Sequence, residues 1–177
     1  MSVLLRPATW GDLQAVNDIY NWAVLNTTAT FDLEPWTLQA REEWFARHEP
    51  EFPVIVAEQG GTVVGWGALS PYNPKPAYRY TAEDSVYVHP EYRRRGIGMR
   101  LLAALVEAAR TRGFHTLIAL ITHANAPSIR LHANCGFVQV GLLRQVGYKF
   151  GAWHDVAILQ KMLAAPHEIP GDACRRS

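Results

Sequence analysis

Arg93, Arg94 and Arg95 run directly into Gly96-Ile97-Gly98-Met99. Before them lies a β-rich stretch, Ser85-Val86-Tyr87-Val88, closed by Pro90, and after them an apolar-periodic helix begins. Residues of these types in this order build an anion cradle. Glycine lets the backbone come close to a ligand, and the amides of the loop and first helical turn point N–H groups at negative charge. The guanidinium groups add fixed positive charge. The expected ligand carries phosphates.

Spacing narrows the choice. A Walker loop needs Gly-x-x-x-x-Gly-Lys-Ser/Thr, and no Lys-Ser/Thr follows these glycines. A dinucleotide fingerprint needs a third glycine where Leu101 stands, and an acidic residue further on that is absent. What remains is Arg93-x-x-Gly96-x-Gly98. The charge distribution agrees with an anionic ligand. Tyr92 to His154 holds nine basic residues against the single acid Glu107, or +8, whereas the rest of the chain carries −7 within an overall formal charge of +1. Nucleic acid is disfavoured, because no DNA- or RNA-binding motif and no long basic tail accompany the cluster.

Local patterning defines the elements that must hold this cradle. Val3 to Ala8 reads as a strand. Thr9 and Asp12 then form a capping-box pair before a helix whose inner stripe is Leu13, Val16, Ile19, Tyr20 and Ala23. Thr27 to Trp36 is a loop and Leu38 to His48 a second helix. Phe52 to Glu58 and Thr62 to Ser70 are strands joined by Gly60-Gly61, a hairpin signal. Tyr80 to Val88 is the strand entering the cradle. Gly98 to Arg112 is the helix leaving it, closed by Gly113. Thr116 to Thr122 is a buried strand, Pro127 to Asn134 a short helix capped near Asn125, and a turn and strand begin at Gly136. Leu142 to Phe150 and His154 to Leu163 close the chain. The order βααββββαβαββ describes one mixed α/β domain.

With 177 residues, 49% hydrophobic and 19% charged, the chain can bury one core. No apolar run approaches the roughly 20 residues of a membrane span. No basic-then-apolar leader is present, so a cytoplasmic location is expected. Cys135 and Cys174 stand far apart and predict no disulfide. The histidines lack metal-ligand spacing, so no metal is expected.

Arg93-x-x-Gly96-x-Gly98 resembles the acyl-coenzyme A pyrophosphate motif, Gln/Arg-x-x-Gly-x-Gly/Ala, of the GNAT superfamily of N-acetyltransferases. Four further segments fall in order with it: Thr81 to Val88; Asn125-Ala126-Pro127-Ser128; Leu131-His132-Ala133-Asn134-Cys135-Gly136-Phe137; and Gly147-Tyr148-Lys149-Phe150-Gly151-x-Trp153-His154-Asp155. Together, from Leu4 to Leu163, they resemble the phosphinothricin and methionine sulfoximine N-acetyltransferase branch. The resemblance implies an α/β acetyltransferase fold, with a mixed, mostly antiparallel sheet splayed at the acetyl-CoA site and flanked by helices. It implies an N-acetyltransferase domain over 1–165; the remainder, 166–177, is polar and is expected to be disordered.

It also implies roles. Acetyl transfer to an ammonium needs a base, a donor to the thioester oxygen and an acid for the departing thiolate. Glu83 takes the place of the base, and adjacent Asp84 points to the opposite face of the strand as a structural residue. Val86, Tyr87 and Val88 offer main-chain groups to the pantetheine arm and thioester. Arg93, Arg94, Arg95, Gly96, Ile97, Gly98 and Met99 hold the pyrophosphate. Asn125 bonds the pantetheine, and Ser128 either joins it or caps the next helix. His132 stands where many superfamily members carry a tyrosine that protonates the thiolate, and an imidazole can do the same near neutral pH. For the acceptor, Arg79 binds a carboxylate and places the α-amine beside Glu83, with Ser85, Phe31 and Tyr78 around it. Lys149, Trp153 and His154 either touch substrate or support a homodimer, the expected assembly. The predicted activity is acetyl transfer from acetyl-CoA to a small amino-acid-like acceptor. Two rival readings are an N-terminal acetyltransferase of peptides or proteins, which needs an open groove, and a non-catalytic acetyl-CoA-binding module, which needs no Glu83.

Overall fold

The computed structural model describes residues 2–48 and 50–163; the tail expected over 166–177 and Cys174 lie outside them. The described residues form seven strands and four α-helices. Strand β1 (Leu4–Pro7) leads through Thr9 into helix α1 (Leu13–Asn26). The Thr9 amide and hydroxyl both donate to Asp12 Oδ2, at 2.7 and 2.8 Å. Arg6 donates to the same carboxylate and helps hold its pKa down at about 2, which ties β1 to the helix start.

Helix α2 (Leu38–Ala46) begins at Thr37, whose side chain accepts from the Ala40 amide. Strands β2 (Val54–Gln59) and β3 (Thr62–Pro71) form a hairpin closed by Gly60 and Gly61. Both glycines are left-handed, at φ +59° and +81°, as a two-residue turn of this kind requires. Strand β4 (Thr81–Val88), helix α3 (Ile97–Thr111) and strand β5 (Thr116–Thr122) make the crossover unit. Helix α4 (Ala126–Asn134) and strands β6 (Val138–Lys149) and β7 (Ala152–Met162) complete the chain.

Three strands, not the four of the expected order, stand between α2 and α3. The closing strands differ from expectation too, because the strand expected after Gly136 and the one expected from Leu142 are a single strand, β6, from Val138. Its register with β7 shifts between Gln139 and Gly141 and again between Leu143 and Gly147. Such bulges let one long strand bend without ending. At the second, Gln145 adopts φ +49° and its amide donates to Asp155 Oδ1 at 2.8 Å, a side-chain substitute for the interrupted ladder.

The sheet order is β1-β2-β3-β4-β5-β7-β6. Among the described strands only β4 and β5 pair in parallel, and the others pair antiparallel. Helix α1 covers one face, with Val16, Tyr20, Val56, Trp66 and Ala68 in the intervening core. Helix α3 covers the other face with Leu102, Leu105 and Ala109, beside Phe137 and Leu159. Gly67 allows α3 to come close, since a Cβ there would lie 2.9 Å from Leu105 Cδ1.

Candidate active site

The parallel pairing of β4 with β5 is short. Thr81, Ala82 and Glu83 lie opposite Thr116, Leu117 and Ile118, and there the pairing stops. Beyond that point β4 stays with β3 as far as Val88, while β5 stays with β7 as far as Thr122. The sheet opens between them. Among the described residues, main-chain groups of Ser85 to Val88 on the β5 side have no strand partner; apart from the Val88 carbonyl, which accepts from Arg93 Nε, they are available to a ligand.

A cavity of about 1200 Å³ passes through this opening, large enough for a coenzyme-sized molecule. Its walls include Phe31, Glu83, Ser85, Val86, Tyr87, Val88, Arg93, Arg94, Gly96, Ile97, Gly98, Met99, Asn125, Ser128 and His132, all expected from the sequence. Arg95, Tyr78 and Arg79 are not among the lining residues. The Arg95 guanidinium lies 5.1 Å from the Tyr92 ring centre. Arg79 caps the short turn Pro76–Tyr78 ahead of β4, with its guanidinium 4.5 Å from the Tyr80 ring.

At the cradle, Arg94 takes φ +60° and Gly96 φ +76°. Left-handed residues in a tight turn curl successive N–H groups toward one side, the backbone pattern of anion-binding concavities. An arginine in that conformation is strained, so the arrangement is held from outside. Arg93 supplies part of the hold. Its Nε donates to the Val88 carbonyl at 3.1 Å and its guanidinium lies over Trp22 of α1 at 4.6 Å. Helix α3 starts at Ile97 with its N-terminus at this turn.

Glu83 and Asp84 stand on opposite faces of β4, as the strand period dictates. Burial pushes the Glu83 carboxyl up to about 7, and the adjacent Asp84 charge adds to the rise. A carboxylate with that affinity can take a proton near neutral pH. Asp84 is buried and accepts from His132 Nε2 at 2.9 Å, while His132 Nδ1 donates to the Ser128 carbonyl at 2.8 Å. Asn125 is the cap of α4, its side chain accepting from the Ser128 amide at 3.3 Å. Ser128 lies in the first turn and is not the cap.

Several contributors have no signal in the linear pattern. Segment 27–31 lines the cavity as a strap held from four elements. The Thr122 hydroxyl of β5 donates to the Thr28 carbonyl, and the Lys149 ammonium of β6 donates to the Thr30 carbonyl at 2.8 Å. Tyr20 of α1 bonds Thr30 and Asp32, and the Tyr87 hydroxyl of β4 donates to the Ala29 carbonyl. The Phe31 ring lies directly on Gly147, where any side chain would collide with it. Lys149 is 3% exposed, and burial pushes its ammonium down. Lys149, Trp153 and His154 do not line the cavity, whereas Leu143, Val146 and Phe150 of the same hairpin do. Among the described residues no group of three or more His, Cys, Asp or Glu is arranged to hold a metal ion, and no helix is long and apolar enough to cross a membrane.

Known proteins share this fold. Residues 16–137 match the sequence profile of the acetyltransferase (GNAT) family. An L-methionine sulfoximine/L-methionine sulfone acetyltransferase of Pseudomonas paraeruginosa is 41% identical over 172 residues, which cover 96% of this chain and all of that one. A GNAT-superfamily phosphinothricin acetyltransferase from Sinorhizobium meliloti, solved in complex with acetyl-CoA, superposes with a TM-score of 0.91. It is 34% identical and both chains are covered in full. A structure described as a ribosomal-protein-alanine N-acetyltransferase from Brucella melitensis is 46% identical, with a TM-score of 0.89, over 90% of this chain and 99% of that one.

Proposed function

The chain belongs to the acetyltransferase (GNAT) family, and from that premise we propose the acceptor, the residue roles and the assembly. It is an acetyl-CoA-dependent N-acetyltransferase whose acceptors are small amino-acid-like amines. Methionine sulfoximine, methionine sulfone and phosphinothricin are the acceptors proposed here. The observation that carries this reading is the cavity through the β4/β5 opening. Its walls carry the Arg93–Gly98 turn together with Glu83 and the strap residue Phe31.

Acetyl-CoA enters along β4 with its pyrophosphate on the turn and its pantetheine against the main chain of Val86 to Val88. Glu83 takes a proton from the acceptor ammonium, directly or through water, and the neutral amine attacks the thioester carbonyl. The C–N bond forms as the C–S bond breaks. Of the two protons the ammonium sheds, one ends on the coenzyme sulfur and one passes to solvent. The N-terminal acetyltransferase reading is favoured by one observation, the Brucella melitensis relative. The strap that lines the cavity and is held by β4, β5 and β6 opposes it, since a peptide needs an open groove.

Thiol release with a panel of amines tests the assignment. Methionine sulfoximine and phosphinothricin turn over and yield N-acetyl products by mass, while peptides beginning in alanine do not. The reverse pattern would replace this reading with the peptide one. Arg79 precedes β4 by two residues and is the cation nearest Glu83 along the chain. Its role as ligand of the acceptor carboxylate predicts that Arg79→Ala raises KM for the amino acid and leaves that for acetyl-CoA unchanged. An unchanged amino-acid KM removes Arg79 from the role.

We also propose a homodimer formed through the last hairpin. Strand β6 is a sheet edge, yet Val138, Val140, Val146 and Tyr148 on it, Phe150 in the turn and Trp153 on β7 are each more than half exposed. An exposed apolar edge of that kind is ordinarily covered. Sedimentation velocity at micromolar protein is expected to give a dimer, and the double variant Tyr148→Ser/Trp153→Ser a monomer. A monomeric wild-type protein disproves the assembly.

A further inference from the structure

His132 has both ring nitrogens turned onto acceptors. Nδ1 lies 2.8 Å from the Ser128 main-chain carbonyl, which can only accept, so Nδ1 carries a proton. Nε2 lies 2.9 Å from Asp84 Oδ2. A bare Nε2 lone pair would face a carboxylate oxygen, so a second proton lies between them. The ring is 4% exposed and Asp84 6%, and the Phe137 ring packs edge-on against the imidazole at 5.1 Å. Burial alone would strip the imidazole of charge, yet its pKa is raised, because the Asp84 carboxylate and the Ser128 carbonyl more than offset burial. The pair ties β4 to α4 across 48 residues of chain, at the point where β4 parts from β5.

We infer that His132 works through Asp84 and not on the thiolate: its proton balances the charge of the residue adjoining Glu83, so that Glu83 is left as the group whose protonation governs the reaction. His132 is then a positioning residue, and the inference rests on the reading of Glu83 as the base. His132 is the group hydrogen-bonded to Asp84, and most of the surroundings are uncharged. Across the ladders Leu69 faces Asp84, while Ser70 and Ile118 face Glu83. Segment 27–31 contributes no charged residue. The Cys135 thiol at the end of α4 is pushed up by burial and by the Asp84 charge, with the Lys161 ammonium of β7 opposing that rise. Arg93 and Arg94 belong to the turn ahead of α3.

The test is the acid limb of the kcat/KM–pH profile in three variants. Asp84→Asn removes the like charge beside Glu83, so the limb moves down by about one pH unit. His132→Gln leaves Asp84 unbalanced, so the limb moves up by a similar amount, about a tenfold loss in kcat/KM at a fixed pH below it. In the double variant the limb sits where Asp84→Asn alone puts it, and kcat above the limb matches Asp84→Asn within a few-fold. Singles that move the limb the same way, or not at all, overturn the inference. So does a His132→Gln loss as large in the Asp84→Asn background as in the wild type, since that is the behaviour of a direct proton donor. Thermal melts establish folding, and if one single variant does not fold, the direction of the other decides. Glu83→Gln is run in parallel. If it keeps the wild-type limb, the base assignment has failed; if it abolishes the limb and the singles do not oppose each other, only the role of His132 has.

Discussion

Glu83→Gln lowers kcat/KM by about 10²-fold or more, the usual size for loss of a general base, and leaves the affinity for acetyl-CoA unchanged. Glutamine keeps the shape of the side chain and its place on β4, so the cavity survives and only the proton acceptor is lost. The wild-type enzyme should show kcat/KM rising with pH through about 7, where burial and Asp84 have moved the Glu83 carboxyl. The sign follows from the role: a base acts in its charged form, so activity is lost as pH falls through that value. Steady-state kinetics from pH 5.5 to 9 checks both statements. Turnover by the variant within a few-fold of wild type would remove Glu83 from the mechanism.

Gly98→Glu abolishes acetyl-CoA binding while the protein stays folded. A Cβ at position 98 would meet the Leu131 methyls at 3.6 Å and Val88 at 3.8 Å, ordinary contacts that the fold accepts. The new carboxylate stands in the first turn of α3, where the helix N-terminus favours negative charge, so the melting temperature does not fall. The same field is the one proposed to hold the pyrophosphate, and a fixed charge within it competes with the ligand. Repulsion at about 5 Å in a site of intermediate dielectric corresponds to a loss of affinity of at least about 10²-fold. Isothermal titration calorimetry with acetyl-CoA reads it directly. Wild-type affinity would place the pyrophosphate elsewhere.

The parts of this protein legible from the chain alone are those whose cause is local. The Thr9/Asp12 capping box, the Gly60-Gly61 turn, the Gly113 stop, the Asn125 cap and the inner stripe of α3 each depend on residues within about four positions of one another. Backbone sterics and helix or strand periodicity dictate them whatever surrounds them. The Arg93–Gly98 turn was legible for the same reason, and five motifs in one order pointed to the family.

What tertiary structure alone decided depends on which elements become neighbours. The sheet order sets β5 between β4 and β7, and the early end of the β4/β5 pairing makes the cavity. It also brings His132 to Asp84 across 48 residues and Lys149 to Thr30 across 119. Neither pair has a signature in composition or period, because a contact over that separation is fixed by chain topology and paid for by the packing of whole elements. Asp84 therefore read from the sequence as a structural residue and His132 as a candidate proton donor with nothing to link them, and the fold joins them into one buried pair.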